Sequence, residues 1–135
     1  MHLLPIDVMT GFASSSFAER WHQLTLMEQL GNIGSEADRA INWRARKNID
    51  LSTKSLYRTL ELLDLTIADT RWRGGKRKEL TRVREVLCDM FVGDNVFNTT
   101  PESLSRYFYQ FAFAAQRAKE TQQKDNPASP VVNTP

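Results

Sequence analysis

The sequence predicts an all-α protein, an antiparallel up-down-up-down four-helix bundle, on three observations. Apolar residues recur every three or four positions in four segments, turn and helix-start residues separate those segments, and no run alternates with the period of two that marks a half-buried strand. A chain of 135 residues fits one domain with a real core. The bundle is expected over 16–120, after an irregular lead-in at 1–15 and before a disordered tail at 121–135, "TQQKDNPASPVVNTP", which is polar and proline-bearing.

The first helix is expected to open on Ser16 and Glu19, whose spacing is that of a capping box, and to run to about Lys47. Its apolar face is Leu24, Met27, Gly31, Gly34, Ala37, Ile41 and Ala45. Gly31 and Gly34 either break this helix or let a neighbour approach closely; one continuous helix is the favoured reading. The second helix starts near Ser52 and buries Leu56, Leu60, Leu63 and Ile67. The third, from about Gly75 to Val92, turns Leu80, Val83, Leu87, Met90 and Phe91 inward. "GDNVFNTT" supplies a turn. Thr100 then caps the fourth helix, and Pro101 takes its first position, where a missing amide hydrogen costs nothing. Leu104, Phe108, Phe111, Ala115 and Ala118 form its inner face. Short connections between four such helices imply the up-and-down arrangement.

A second apolar set lies off these core faces: Leu26, Ile33 and Ala40 on the first helix, Leu62 and Leu65 on the second, Tyr109 and Phe113 on the fourth. Scattered surface hydrophobes are ordinary. Three helices sharing the feature favour a homo-oligomer with these residues at its interface.

Charge is segregated along the chain. Residues 39–84 hold thirteen basic and five acidic side chains, and the remainder five and eleven, within a total of 18 and 16. A positive middle between negative ends suits an anionic partner or pairing between copies. The densest stretch is "RWRGGKRK" at 71–78. Arginines after a helix are welcome at its negative end, but Lys76, Arg77 and Lys78 crowd a helix start that prefers acids, each at a cost of about 0.3 to 1 kcal/mol. A broken local rule points to function. Glycines let backbone approach a ligand, Arg71, Arg73, Lys76, Arg77 and Lys78 suit phosphate, and Trp72 suits stacking on an unpaired base. A merely solvated basic loop is the competing reading. Trp43, Arg44, Arg46 and Lys47 repeat the pairing of tryptophan with cations, although there the charges end a helix where its dipole accepts them. In a bundle the two groups would lie at opposite poles.

Catalytic patterns are not found. Glu19 and His22 have the Glu-x-x-His spacing of a di-metal bundle, but the only other histidine is His2, so no metal and no cofactor is expected. No Gly-x-Ser-x-Gly elbow accompanies His22, and "GGK" is followed by Arg77 rather than the Ser or Thr of a phosphate-binding loop. Cys88 reads as a small residue beside the core. The expectation is a non-enzymatic protein with no small-molecule substrate. The single cysteine fits a reducing compartment, Pro5 and Asp7 interrupt the only apolar N-terminal run, and no apolar stretch nears the ~20 residues of a membrane span, so the expected location is cytoplasmic, with no membrane partner.

"NIGSEADRAINW" at 32–43, "LELLDLTIAD" at 60–69, "REVLCDMFVGDN" at 84–95 and "ESLSRYFYQFAFAA" at 102–115 resemble a group of small bacterial proteins. The layout of 32–63, a helix ending in small and basic residues, a Ser-bearing turn and a Leu-rich helix, is similar to the four-helix-bundle proteins encoded in 23S rRNA intervening sequences and to the accessory variability determinant of diversity-generating retroelements. That resemblance implies a basic, ring-forming bundle that binds nucleic acid, RNA or single-stranded DNA, and in the retroelement branch assists a reverse transcriptase. It assigns no residue a role. A protein-interaction adaptor without nucleic acid is the alternative.

Overall fold

The structure, a computed structural model, describes residues 15–124 and contains no strand among them. Five helices follow one another: α1 Ser15–Trp21, α2 Leu26–Ala45, α3 Ile49–Ile67, α4 Gly75–Val92 and α5 Pro101–Lys124. Most of the expected lead-in, and the tail beyond residue 124, lie outside the described residues. α5 itself continues four residues into the segment read as tail.

The expected first helix is two helices. Ser16 sits inside α1, and the capping box forms at Thr25 instead: its hydroxyl accepts from the Glu28 amide at 3.1 Å while the Glu28 carboxylate accepts from the Thr25 amide at 2.9 Å. This second start signal ends α1 and turns Trp21 into the core, where its indole N–H donates to the Thr66 hydroxyl at 2.9 Å. Beyond the break α2 is continuous through both glycines. A methyl group on Gly34 would lie 2.4 Å from the Phe108 Cβ, and one on Gly31 would lie 3.0 Å from the Ala112 Cα. These glycines seat α5 against α2.

α3 begins three residues earlier than its leucine pattern suggests, because the Asn48 side chain accepts from the Leu51 amide at 3.1 Å. Where α2 meets α3 the facing residues are small: Ala37, Ala40, Ser52, Ser55 and Thr59 are all buried, and the Ser52 hydroxyl donates to the Ala40 carbonyl at 2.8 Å. α4 and the Thr100–Pro101 start of α5 fall where the sequence places them.

α2 therefore lies between α3 and α5, and burying two sides of one helix takes two apolar stripes. This corrects the reading of the second stripe as an outer surface. Ile33 and Ala40 are fully buried and Leu62 is buried against the core; Leu26 and Leu65 are half-buried on it. Conversely Met27, expected inside, is 40% exposed. Of the proposed interface only Tyr109 and Phe113 stand out in solvent, at 66% and 51% exposure, with rings stacked at 6.3 Å.

Candidate nucleic-acid interface

The 71–78 segment divides at Arg73. Its first half faces inward onto a buried polar cluster. Asp69, just past the end of α3, is 4% exposed and accepts from the Arg71 guanidinium at 2.7, 3.1 and 3.2 Å and from the Arg71 amide at 3.0 Å. Those bonds hold the Asp69 carboxyl down at about 2. Arg71 also donates to the Leu24 carbonyl at 2.8 Å, tying the segment to the turn between α1 and α2. The Trp72 indole N–H donates to the buried Gln29 side chain at 2.8 Å, and Gln29 in turn donates to the Trp21 carbonyl at 3.0 Å and to Asp69 at 3.4 Å. Cations cover the Trp72 ring: the Arg71 guanidinium lies 4.5 Å and the Lys76 ammonium 5.3 Å from its centroid. Arg71 is thus neutralised by a carboxylate, and the half-buried Trp72 is held on the core with its ring already occupied. Neither side chain is set to meet a phosphate or a base in the way the sequence suggests.

The second half faces outward. Gly74 has a positive φ of 62° and precedes α4 without any side-chain cap, and no acid follows in the first turn. The first amides of a helix have no carbonyl one turn back, so those of Gly75, Lys76 and Arg77 remain to be satisfied from outside. A Cβ built on Gly74 or Gly75 meets nothing within 4 Å, which leaves the backbone open to close approach. Arg73 donates only to the Thr70 carbonyl at 2.9 Å, and Arg77 to the Asp69 carbonyl at 3.4 Å, its buried Nε having no partner among the described residues. Among the described residues none of Arg73, Lys76, Arg77 or Lys78 makes an ion pair. Uncapped amides and four cations without ion pairs, Lys76 lying over the Trp72 ring and Arg77 half-buried, make a surface suited to anions.

The 43–47 group lies elsewhere. Arg44 donates to the Met90 carbonyl at 3.2 Å and covers the Phe91 ring at 5.2 Å, which places it at the C-terminal end of α4. The 71–78 corner is at the N-terminal end, about 27 Å away along an 18-residue helix. Arg46 lies 5.4 Å over the Trp43 ring, and Lys47 adopts a left-handed φ of 65° as the chain turns into α3. One chain does not join the two groups into a single groove.

No family model, no curated protein and no solved structure matches this chain.

Among the described residues no three His, Cys, Asp or Glu side chains converge as a metal site. The His22 Nε2 lies 3.0 Å from the Leu65 carbonyl, and the Cys88 thiol, pushed up by burial, lies 3.8 Å from the Arg84 guanidinium. No helix among them is long and apolar enough to cross a membrane. Sequence reasoning missed Gln29 and Asp69, which decide where Arg71 and Trp72 go. One signal was present, since Asp69 is among only five acids in the basic stretch. It also missed Glu61, 1% exposed on α3, whose carboxylate oxygens have no partner among the described residues and whose pKa burial raises to about 7.

Proposed function

We propose that this chain is a non-enzymatic nucleic-acid-binding accessory protein, built as an antiparallel up-down-up-down four-helix bundle of α2 to α5 and working in the cytoplasm as a homo-oligomer. The bond of Ser52 to Ala40 joins the start of α3 to the end of α2, and that of Trp21 to Thr66 brings the end of α1, just before α2, to the end of α3, which supports the antiparallel reading. The observation that carries the function is the uncapped start of α4, where Arg73, Lys76, Arg77 and Lys78 stand without ion pairs among the described residues. Phosphate fits such a place because free amides, helix dipole and cations all favour the same sign of charge. Arg71 and Trp72 support this surface from beneath and are not themselves contacts. Trp43, Arg44, Arg46 and Lys47 would join it only through a neighbouring copy. RNA or single-stranded DNA as ligand, and a reverse transcriptase as the protein assisted, rest on the resemblance to the intervening-sequence and retroelement bundle proteins.

Fluorescence anisotropy with structured RNA, single-stranded DNA and duplex DNA across a salt titration tests the reading. Changing Arg73, Lys76, Arg77 and Lys78 together to Gln should weaken binding and flatten the dependence of log K on log salt by about 0.7 to 0.9 per lost phosphate contact. Unchanged binding and slope would overturn it.

The stacked, exposed Tyr109 and Phe113, with Arg117 5.7 Å over the phenylalanine ring, favour a second reading. In it the chain is a self-associating or adaptor scaffold and α5 is the contact surface, with no nucleic acid involved.

A further inference from the structure

We propose that the cleft between α4 and α5 binds a free apolar α-amino acid. The cleft has a volume of about 330 Å³, at the small end of the ~300 to 1,000 Å³ typical of ligand sites. Its floor is hydrocarbon: Val83 and Leu104 are buried and Val86 is half-buried.

Two opposite charges, Glu79 and Arg82, stand on its rim one helical turn apart. Side chains three apart on a helix are neighbours, and a Glu–Arg pair at that spacing ordinarily attracts. Here each is held by something else. The Tyr107 hydroxyl, from α5, donates to the Glu79 carboxylate at 2.6 Å, and the Arg82 guanidinium lies 4.4 Å over the Phe97 ring, from the connection between the helices. Burial and the adjacent Glu79 raise the Tyr107 pKa, so the hydroxyl remains a neutral donor toward the carboxylate. A carboxylate with one donor keeps lone pairs for others, and a guanidinium lying over a ring keeps N–H groups along its edge.

The result is a small apolar slot with a carboxylate and a cation on its α4 rim, one turn apart and not paired with each other. A zwitterion matches it. The ligand ammonium would donate to Glu79, its carboxylate would accept from Arg82, and a branched or aromatic side chain would cover Val83, Val86 and Leu104. A nucleotide fits poorly, because several negative charges would face one arginine and one carboxylate in a cavity of this size. The cleft begins one residue beyond Lys78, and none of Arg73, Lys76, Arg77 or Lys78 lines it.

Calorimetry and amide chemical-shift mapping on the full chain, with L-leucine and L-phenylalanine as probes, test the proposal. N-acetyl-L-leucine lacks the cation, L-leucinamide lacks the anion, and glycine lacks the hydrocarbon. At least one of the two probes should bind saturably in the millimolar range and shift the amides of Arg82, Val86 and Ser103. Removing either ligand charge should weaken binding about 10- to 100-fold, the usual loss for a charge-assisted hydrogen bond. Glu79→Gln and Arg82→Gln should each cause a comparable loss for leucine, and Val86→Phe should block the slot. Absence of saturable shifts at those amides with both probes overturns the proposal. So does binding of either blocked analogue as tightly as free L-leucine, an outcome read on the unaltered chain and independent of how any variant folds.

Discussion

The inward and outward parts of the 71–78 segment both carry cations, in opposite circumstances. Arg71 and Trp72 are satisfied by Asp69, Gln29 and the Leu24 carbonyl. Three residues later the chain turns at Gly74, and Lys76, Arg77 and Lys78 follow with no carboxylate among the described residues to answer them. A count of cations cannot tell these apart, because what separates them is whether the core presents an acceptor at that place. Charge drawn into the fold stabilises it; charge left over is what a ligand can use.

Breaking the inward half should have the largest effect. Asp69→Ala leaves Arg71 and Gln29 without their shared acceptor and should lower stability by about 2 to 4 kcal/mol, read from a denaturant midpoint that moves without a change in slope. Protonating the same carboxylate should act in the same direction. Its folded pKa lies below the ordinary 3.8, so its contribution is present above that value and is lost as pH falls toward about 2.

Glu61 sharpens the contrast with the opposite sign. Its folded pKa lies above the ordinary 4.5, so its contribution to stability is complete below 4.5 and is lost as pH rises through about 7. The loss on the alkaline side should be about 1 to 3 kcal/mol. Thermal unfolding from pH 4 to 9 should show this decline in the parent chain, and Glu61→Gln should abolish it; an equal decline in both would mean that the carboxyl is not where the proton binds.

The outward half should behave in reverse. Lys78→Glu puts an acid at the positive end of α4 and should raise stability by about 0.3 to 1 kcal/mol, and with Lys76→Glu, which also removes the cation over the Trp72 ring, nucleic-acid affinity at low salt should drop about tenfold or more. Loss of stability from Lys78→Glu alone would mean that this lysine has a structural partner. The smallest effect on stability is expected at Tyr109 and Phe113. Replacing both with Glu should change stability by no more than about 0.5 kcal/mol, since both are solvent-exposed. Light scattering should nevertheless show a smaller particle if α5 is the contact between copies, and an unchanged mass would remove that role.

Local signals made much of the helical layout legible. Gly75–Val92 follows from an unbroken core stripe between two glycine-bearing turns, and Thr100 with Pro101 fixes the start of α5. The Thr25–Glu28 capping box was equally visible in the sequence, but a continuing apolar spacing from Leu24 to Met27 masks it. Ile33, Ala40 and Leu62 mislead for a different reason. A second apolar stripe has the same pattern whether it meets another helix of its own chain or a separate molecule, and periodicity carries no information on which. The fate of Arg71 and Trp72 was hidden because it depends on Gln29, forty-two residues before Arg71, arriving beneath them through the tertiary fold.

Gln29 is a single uncharged amide, and through Trp21, Asp69 and Trp72 it fastens the starts and ends of three helices to one point. A loop anchored so firmly at its base is preorganised: for the proposed anionic ligand, the cations just beyond it would hang from a backbone that needs no further ordering. The entropy surrendered on such an association would fall on a few lysine and arginine side chains alone.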